Sequence, residues 1–294
     1  MVKRRNKGAK RQVLKIERQI IDQLDLNSMV RRYTDVYAGR AICPIHSGSN
    51  KSSLSIRGDN YKCWSCNATG DVISFYGEMK HLNRFQSIEA LAEELNLDID
   101  NEEYCKKKHY VKAIEQEIHS FSSAITSSTN AINFLFHRGI DHDLIKKYNL
   151  GCTPDDNCIV IPIHNHNNEL VGTAKRKLNG TPKYINSRNN EFFTKSATLF
   201  NLNNCYKQIK DRVYCVEGFF DALAGTNYGI PTVGYCGIEL HKDQIKLLGG
   251  YLQDNTIITI IPDNEPKALS RLNTMRQKIY EVIPNATVEV GFFP

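Results

Sequence analysis

The sequence predicts a multidomain protein of α+β and α/β class: a small N-terminal ribbon, a mixed middle region, and a C-terminal parallel sheet wrapped by helices. Two observations carry this. Cys43-x2-His46 and Cys63-x2-Cys66 stand sixteen residues apart around a strand-like run. From residue 213 onward, short apolar runs alternate with helical patterns, the rhythm of strands joined by crossover helices.

The 294 residues suffice for two or three cores, and 41% hydrophobic content marks a globular chain. No run approaches the roughly 20 apolar residues of a membrane helix. No signal-peptide pattern opens the sequence, and nine cysteines at irregular spacing do not form a disulfide framework. The expectation is therefore reduced thiols, a cytoplasmic protein and no membrane partner. Net charge is +6, yet residues 1–18 hold eight Lys or Arg and one Glu, which leaves the remainder at −1. Residues 1–18 thus form a basic arm, read either as a solvated terminus or as a contact for nucleic-acid phosphates.

A helix is expected over 16–33, with Ile16, Ile20, Leu24 and Met29 loosely on one face. Two more follow the cysteine segment within 71–97, the second capped by Ser87. The charged, weakly patterned stretch from Asp98 to about Lys112 suits a linker, and a helix is expected over 113–125. AINFLFHRGIDHDLIKKYNL reads as two short helices around Gly139, and CIVIPIHNHNNELVGTAKRKL as a hairpin turning at His164 to Asn168. VYCV, PTVGY, TIITII and TVEVGFF are strands, with helices between them. The domain boundaries expected are 19–98 for the ribbon, 99–120 for the linker, 121–205 for the middle region and 206–294 for the parallel sheet.

The Cys/His spacing points to a metal. Each x2 pair sits on a tight turn that aims two side chains at one point, and the run between folds as a hairpin joining the turns. Soft nitrogen and sulfur donors suit tetrahedral zinc. With Cys43, His46, Cys63 and Cys66 filling four positions, one structural zinc is expected. Between the turns, Lys62 with Tyr61 and Trp64 offers cations and rings for unpaired bases and phosphates; the other reading has these rings packing the small core.

A second constellation lies at predicted strand ends. Glu217 follows VYCV, and Asp263 and Glu265 follow TIITII. Sites in open α/β sheets form outside the carboxyl ends of strands, so these acids can converge. Clustered carboxylates call for Mg²⁺ or Mn²⁺, and paired ions serve phosphoryl transfer. Asp221, one helical turn beyond Glu217, is within reach of the cluster. Each acid taken alone also reads as a helix N-terminal partner.

These pieces in series resemble a DnaG-type primase from about residue 20 to the end. CPIH, CWSC and GDVISF are similar to the zinc-binding domain of that family; PKYINS, FFTKSATLFNL and VEGFFDAL are similar to its catalytic core, the last to the glutamate motif of the Toprim fold. The resemblance implies primer synthesis on a single-stranded DNA template from ribonucleoside triphosphates. It implies Glu217 as catalytic glutamate, Asp263 and Glu265 as Mg²⁺ ligands, and Arg176, Lys183 and Lys195 as a basic groove for nucleotide and template. The family's Asp-x-Asp is here Asp263-Asn264-Glu265. The family also continues beyond this sequence into an Asp-Pro-Asp metal motif and a domain that docks the replicative helicase, so the Toprim part is expected to be truncated. The competing functions are a non-catalytic or split-gene regulator binding single-stranded DNA through its zinc domain, and a Toprim nuclease or topoisomerase.

Overall fold

A computed structural model describes residues 15–99 and 102–292. Residues 1–14 of the expected basic arm lie outside the described residues. Lys15 to Arg18 belong to the first helix, α1 (Lys15–Gln23), which buries Ile16, Glu17 and Ile20. The single helix expected over 16–33 is two, because Asp25 accepts from the Ser28 amide and caps a new start at α2 (Leu26–Arg31).

Five short antiparallel strands follow in sequential order: β1 (Val36–Tyr37), β2 (Arg40–Ala41), β3 (Leu54–Arg57), β4 (Asn60–Cys63) and β5 (Thr69–Gly70). Helices α3 (Val72–Lys80) and α4 (Arg84–Glu94) pack on this ribbon. Asp71 caps α3. The start of α4 is set by a capping box between Asn83 and Gln86, not by Ser87, which lies inside the helix and donates to the Asn83 carbonyl at 2.9 Å. Arg84 ties the layer together, donating to Glu17 at 3.0 Å and to Asp71 at 2.7 Å with its side chain 2% exposed.

The stretch expected to be a linker is helix. Residues 102–125 form one 24-residue helix, α5 (Glu102–Ile125), with Tyr104, Lys107, Val111, Ile114, Ile118 and Ile125 buried. These positions are three, four or seven residues apart, the spacing of one helix face. Lys107 fits because Glu169 accepts its ammonium at 2.9 Å, a pairing the sequence does not display. Helices α6 (Thr129–Phe136) and α7 (His142–Lys147) then flank Gly139, whose φ of +71° suits glycine.

The middle sheet is antiparallel in the order β6 (Gly151–Cys152), β7 (Cys158–His164), β8 (Leu170–Lys177) and β9 (Tyr184–Asn186). The expected β7–β8 hairpin is present, with a register shift at Ile163/His164.

After a short helix, α8 (Leu202–Cys205), come the elements of a four-stranded sheet: β10 (Arg212–Val216), α9 (Phe219–Asn227), β11 (Thr232–Gly234), α10 (Lys242–Gly249), β12 (Ile257–Ile261), α11 (Pro266–Leu269), α12 (Leu272–Val282) and β13 (Thr287–Val290). The strand order is β11-β10-β12-β13, and every pairing is parallel. The helix expected after Pro266 is interrupted, with α11 ending before α12 begins.

The ribbon is hydrogen-bonded to this parallel-sheet unit. Asn67, at φ +62° and fully buried, donates to the carbonyls of Tyr206, Ile209 and Tyr251 at 2.7 to 3.0 Å. Lys62 donates to the carbonyls of Gly250 and Leu252, and Glu78 accepts from Tyr206 Oη and Lys207 Nζ. Among the described residues, no helix is long and apolar enough to cross a membrane.

Candidate metal centre and catalytic cleft

The two turns of the ribbon bring Cys43, His46, Cys63 and Cys66 together, with one ligand atom of each within 4.8 Å of the others. The Cys43 and Cys66 sulfurs are 3.9 Å apart, and Cys63 Sγ lies 3.8 Å from His46 Nδ1. A tetrahedral ion with Zn–S near 2.3 Å and Zn–N near 2.0 Å requires separations of about 3.8 and 3.6 Å. The tetrad is therefore already spaced for zinc. The Cys63 thiol is drawn well below its ordinary value by the Cys43 and Cys66 thiols donating to it. A Cβ at Gly48 would stand 2.4 Å from His46 Nε2, so this glycine keeps room for the imidazole. All four positions are protein-filled, which makes the site structural.

The ribbon residues expected to meet template divide. Tyr61 is 2% exposed and stacks edge-on to Phe75 at 5.4 Å; its ring belongs to the core, which corrects its assignment to base stacking. Lys62 is held by two carbonyls, so its ammonium is committed to the contact with the parallel-sheet unit. Trp64 is 41% exposed, with the Lys62 ammonium over its ring at 4.8 Å.

At the far ends of the parallel strands is a cleft of about 510 Å³. Strand pairing explains its acidic floor. Val216 is level with Ile261, so Glu217 and Asp263 leave neighbouring strands at nearly the same height. Glu217, Asp221, Asp263 and Glu265 all line the cleft. Gly218 starts α9, and a Cβ there would be 2.3 Å from Asp221 Oδ2, so a side chain would displace that carboxylate. The Glu217 carboxyl is pushed up from its ordinary value, first by burial and then by the charge of Asp263, while the Asp263 amide opposes the shift. Asp221 is likewise pushed up by burial and by Asp263, with Arg138 opposing.

The opposite wall is basic. Arg176, Lys183 and Lys195 line it, together with Arg138, which the motif reading missed. The signal was present as Phe134 four residues before Arg138: the guanidinium lies 4.7 Å from the Phe134 ring and 5.3 Å from Phe220. Arg176 is placed in the same way, 5.8 Å from Phe134 and 5.1 Å from Tyr184. Aromatic faces fix both guanidinium planes while leaving donors for phosphate oxygens.

Glu217 Oε2 is buried without a hydrogen-bond partner. An orphaned carboxylate oxygen beside other acids fits a hard cation. Among the described residues only the zinc tetrad gathers three such ligand atoms within 4.8 Å, so the acids do not form a closed cage. Mg²⁺ does not require one, because it takes one or two carboxylates and completes its shell with water and phosphate.

Comparison with known proteins agrees with both regions. The CHC2 zinc finger family matches residues 10–109, and the N-terminal domain of the DNA primase catalytic core matches residues 156–206. A DNA primase of Thermotoga maritima is 29% identical over 80% of this chain and 51% of its own length. A DNA primase of Clostridium acetobutylicum is 27% identical over 79% and 46%. The chain thus spans about half the length of these curated relatives. The fold is similar to that of the Aquifex aeolicus primase zinc-binding and RNA polymerase domains, with a TM-score of 0.59, 21% identity, and 94% of this chain and 79% of that one covered. It is also similar to a DnaG primase catalytic domain bound to single-stranded DNA, with a TM-score of 0.56, 19% identity, and 65% and 73% covered.

Two outcomes are expected. Cys63→Ser abolishes retention of one zinc per chain, read by metal analysis after gel filtration, and melts the ribbon in circular dichroism. Without divalent cations, Glu217→Gln raises the thermal midpoint at pH 7. The sign follows from a raised folded value: the charge is unfavourable above it, and the cost is absent below the ordinary value of 4.5. The gain should therefore vanish on acidification past that point. In both matched regions the sequence is similar to DnaG-type primases.

Proposed function

We propose that this chain is a primase that joins ribonucleotides on a single-stranded DNA template. The observation that carries the reading is one cleft with an acidic floor at the ends of β10 and β12 and basic side chains from β8 and the segments around it. Such a division suits nucleotidyl transfer, in which triphosphates need cations and the ions they carry need carboxylates.

In this reading Glu217, Asp263 and Glu265 hold Mg²⁺ or Mn²⁺, and Asp221 supports them from α9. When bound, the ions supply charge stabilisation at the attacking 3′ oxygen and the departing pyrophosphate. Arg138 and Arg176, clamped by rings, orient the triphosphate; Lys183 and Lys195 steer nucleotide and template phosphates into the cleft. The new bond forms between the 3′ oxygen and the α-phosphorus as the bond to pyrophosphate breaks. Trp64, on the ribbon, stacks an unpaired template base. The domain division proposed is a zinc ribbon, a middle sheet region joined to it by α5, and a Toprim unit. The nine free cysteines suit a reducing compartment such as the cytoplasm.

The test is ribonucleotide incorporation on single-stranded DNA with Mg²⁺ or Mn²⁺. Glu217→Gln should lower the rate at least about a hundredfold, the loss of a few kcal/mol of transition-state stabilisation, with template affinity unchanged in fluorescence anisotropy. Intact template binding by a wild-type chain that makes no product would support the regulator instead.

A further inference from the structure

The parallel register places a second residue beside Glu217, on the side away from Asp263. Cys215 is level with Val233 and Val216 with Gly234. The Tyr235 amide then donates to the Val216 carbonyl at 3.0 Å, so the chains remain paired one step further. That step sets Tyr235 next to Glu217, at a strand spacing of about 4.8 Å. Side chains alternate along a strand. Val213, Cys215, Val233 and Tyr235 share one core cluster, and Glu217 falls on the same face two residues beyond Cys215. Gly234 permits the approach, since a Cβ there would meet the Gly218 carbonyl at 3.2 Å.

Two polar atoms are left over at this junction. The Tyr235 side chain is buried, at 1% exposure, and its hydroxyl has no hydrogen-bond partner. Glu217 Oε2 is also buried without one. One is a donor, the other an acceptor, and each is costly to leave unpaired.

We propose that Tyr235 is a positioning residue: its hydroxyl, unpartnered in this structure, turns to donate to the Glu217 carboxylate when that carboxylate engages the divalent cation, and so holds it in place. This rests on the reading of Glu217 as a metal ligand. Tyr235 touches neither nucleotide nor ion; it acts through Glu217, flanked by a donor from β11 on one side and by Asp263 from β12 on the other. Burial, and then the Glu217 charge, hold the phenol protonated, which keeps it a donor.

The experiment is Mn²⁺ titration of the zinc-loaded, full-length chain, with free Mn²⁺ read by electron paramagnetic resonance. Tyr235→Phe keeps the ring and removes only the donor. It should weaken Mn²⁺ binding about tenfold, as loss of a hydrogen bond behind a metal ligand commonly does. In a Glu217→Gln background, already weakened, it should cause no further loss. A Tyr235→Phe chain with wild-type Mn²⁺ affinity overturns the proposal, including when its metal-free melting midpoint moves, since that is the mark of a merely structural hydroxyl. A Glu217→Gln chain that binds Mn²⁺ like the wild type overturns both this proposal and the ligand reading beneath it.

Discussion

The parallel pairing of β10 with β12 is the constraint on which the acidic cleft depends. Because Val216 and Ile261 are level, the chain leaves both strands side by side, and Glu217, one residue past β10, lies near Asp263, two residues past β12. Nothing else in the chain needs to bring those acids close. The arrangement works against stability, since burial and mutual repulsion push Glu217 and Asp221 upward. A fold retains such a cost where a bound cation offsets it, and the basic wall opposite supplies the complementary charge for phosphates.

The zinc ribbon follows a different logic. Its strands are two to four residues long, too short to be stable as a lone sheet. The tetrad staples its turns, and α1 to α4 with Tyr104 of α5 supply the rest of the core. The residue after the last zinc ligand is Asn67, whose amide spans three carbonyls of the parallel-sheet unit. The metal site and the contact with the parallel-sheet unit are thus neighbours in sequence, and a ribbon without its metal would lose the turn that presents Asn67.

Much of this was legible in the sequence, for stated physical reasons. The x2 spacings fix the zinc ligands because tight turns leave few alternatives. The alternation from residue 213 gives the parallel sheet, and strand ends give the acids. What was not legible depended on partners remote in sequence. The charged start of α5 read as a linker because Lys107 counts as polar until Glu169 is seen beside it. Tyr61 and Lys62 sit in a strand that alternates correctly, but only the fold shows that one ring faces Phe75 and that the ammonium is taken by Gly250 and Leu252. Arg138 belonged to no motif; its role depends on two aromatic rings, one of them from α9. Tyr235 is invisible without the register that sets it against Glu217.

The most direct test of the shared acidic rim is anomalous diffraction from crystals of the chain soaked in Mn²⁺. The account predicts manganese in the cleft with oxygens of both Glu217 and Asp263 at about 2.2 Å, an ordinary metal–carboxylate distance. Manganese bound elsewhere, with both carboxylates free of it, would contradict the account.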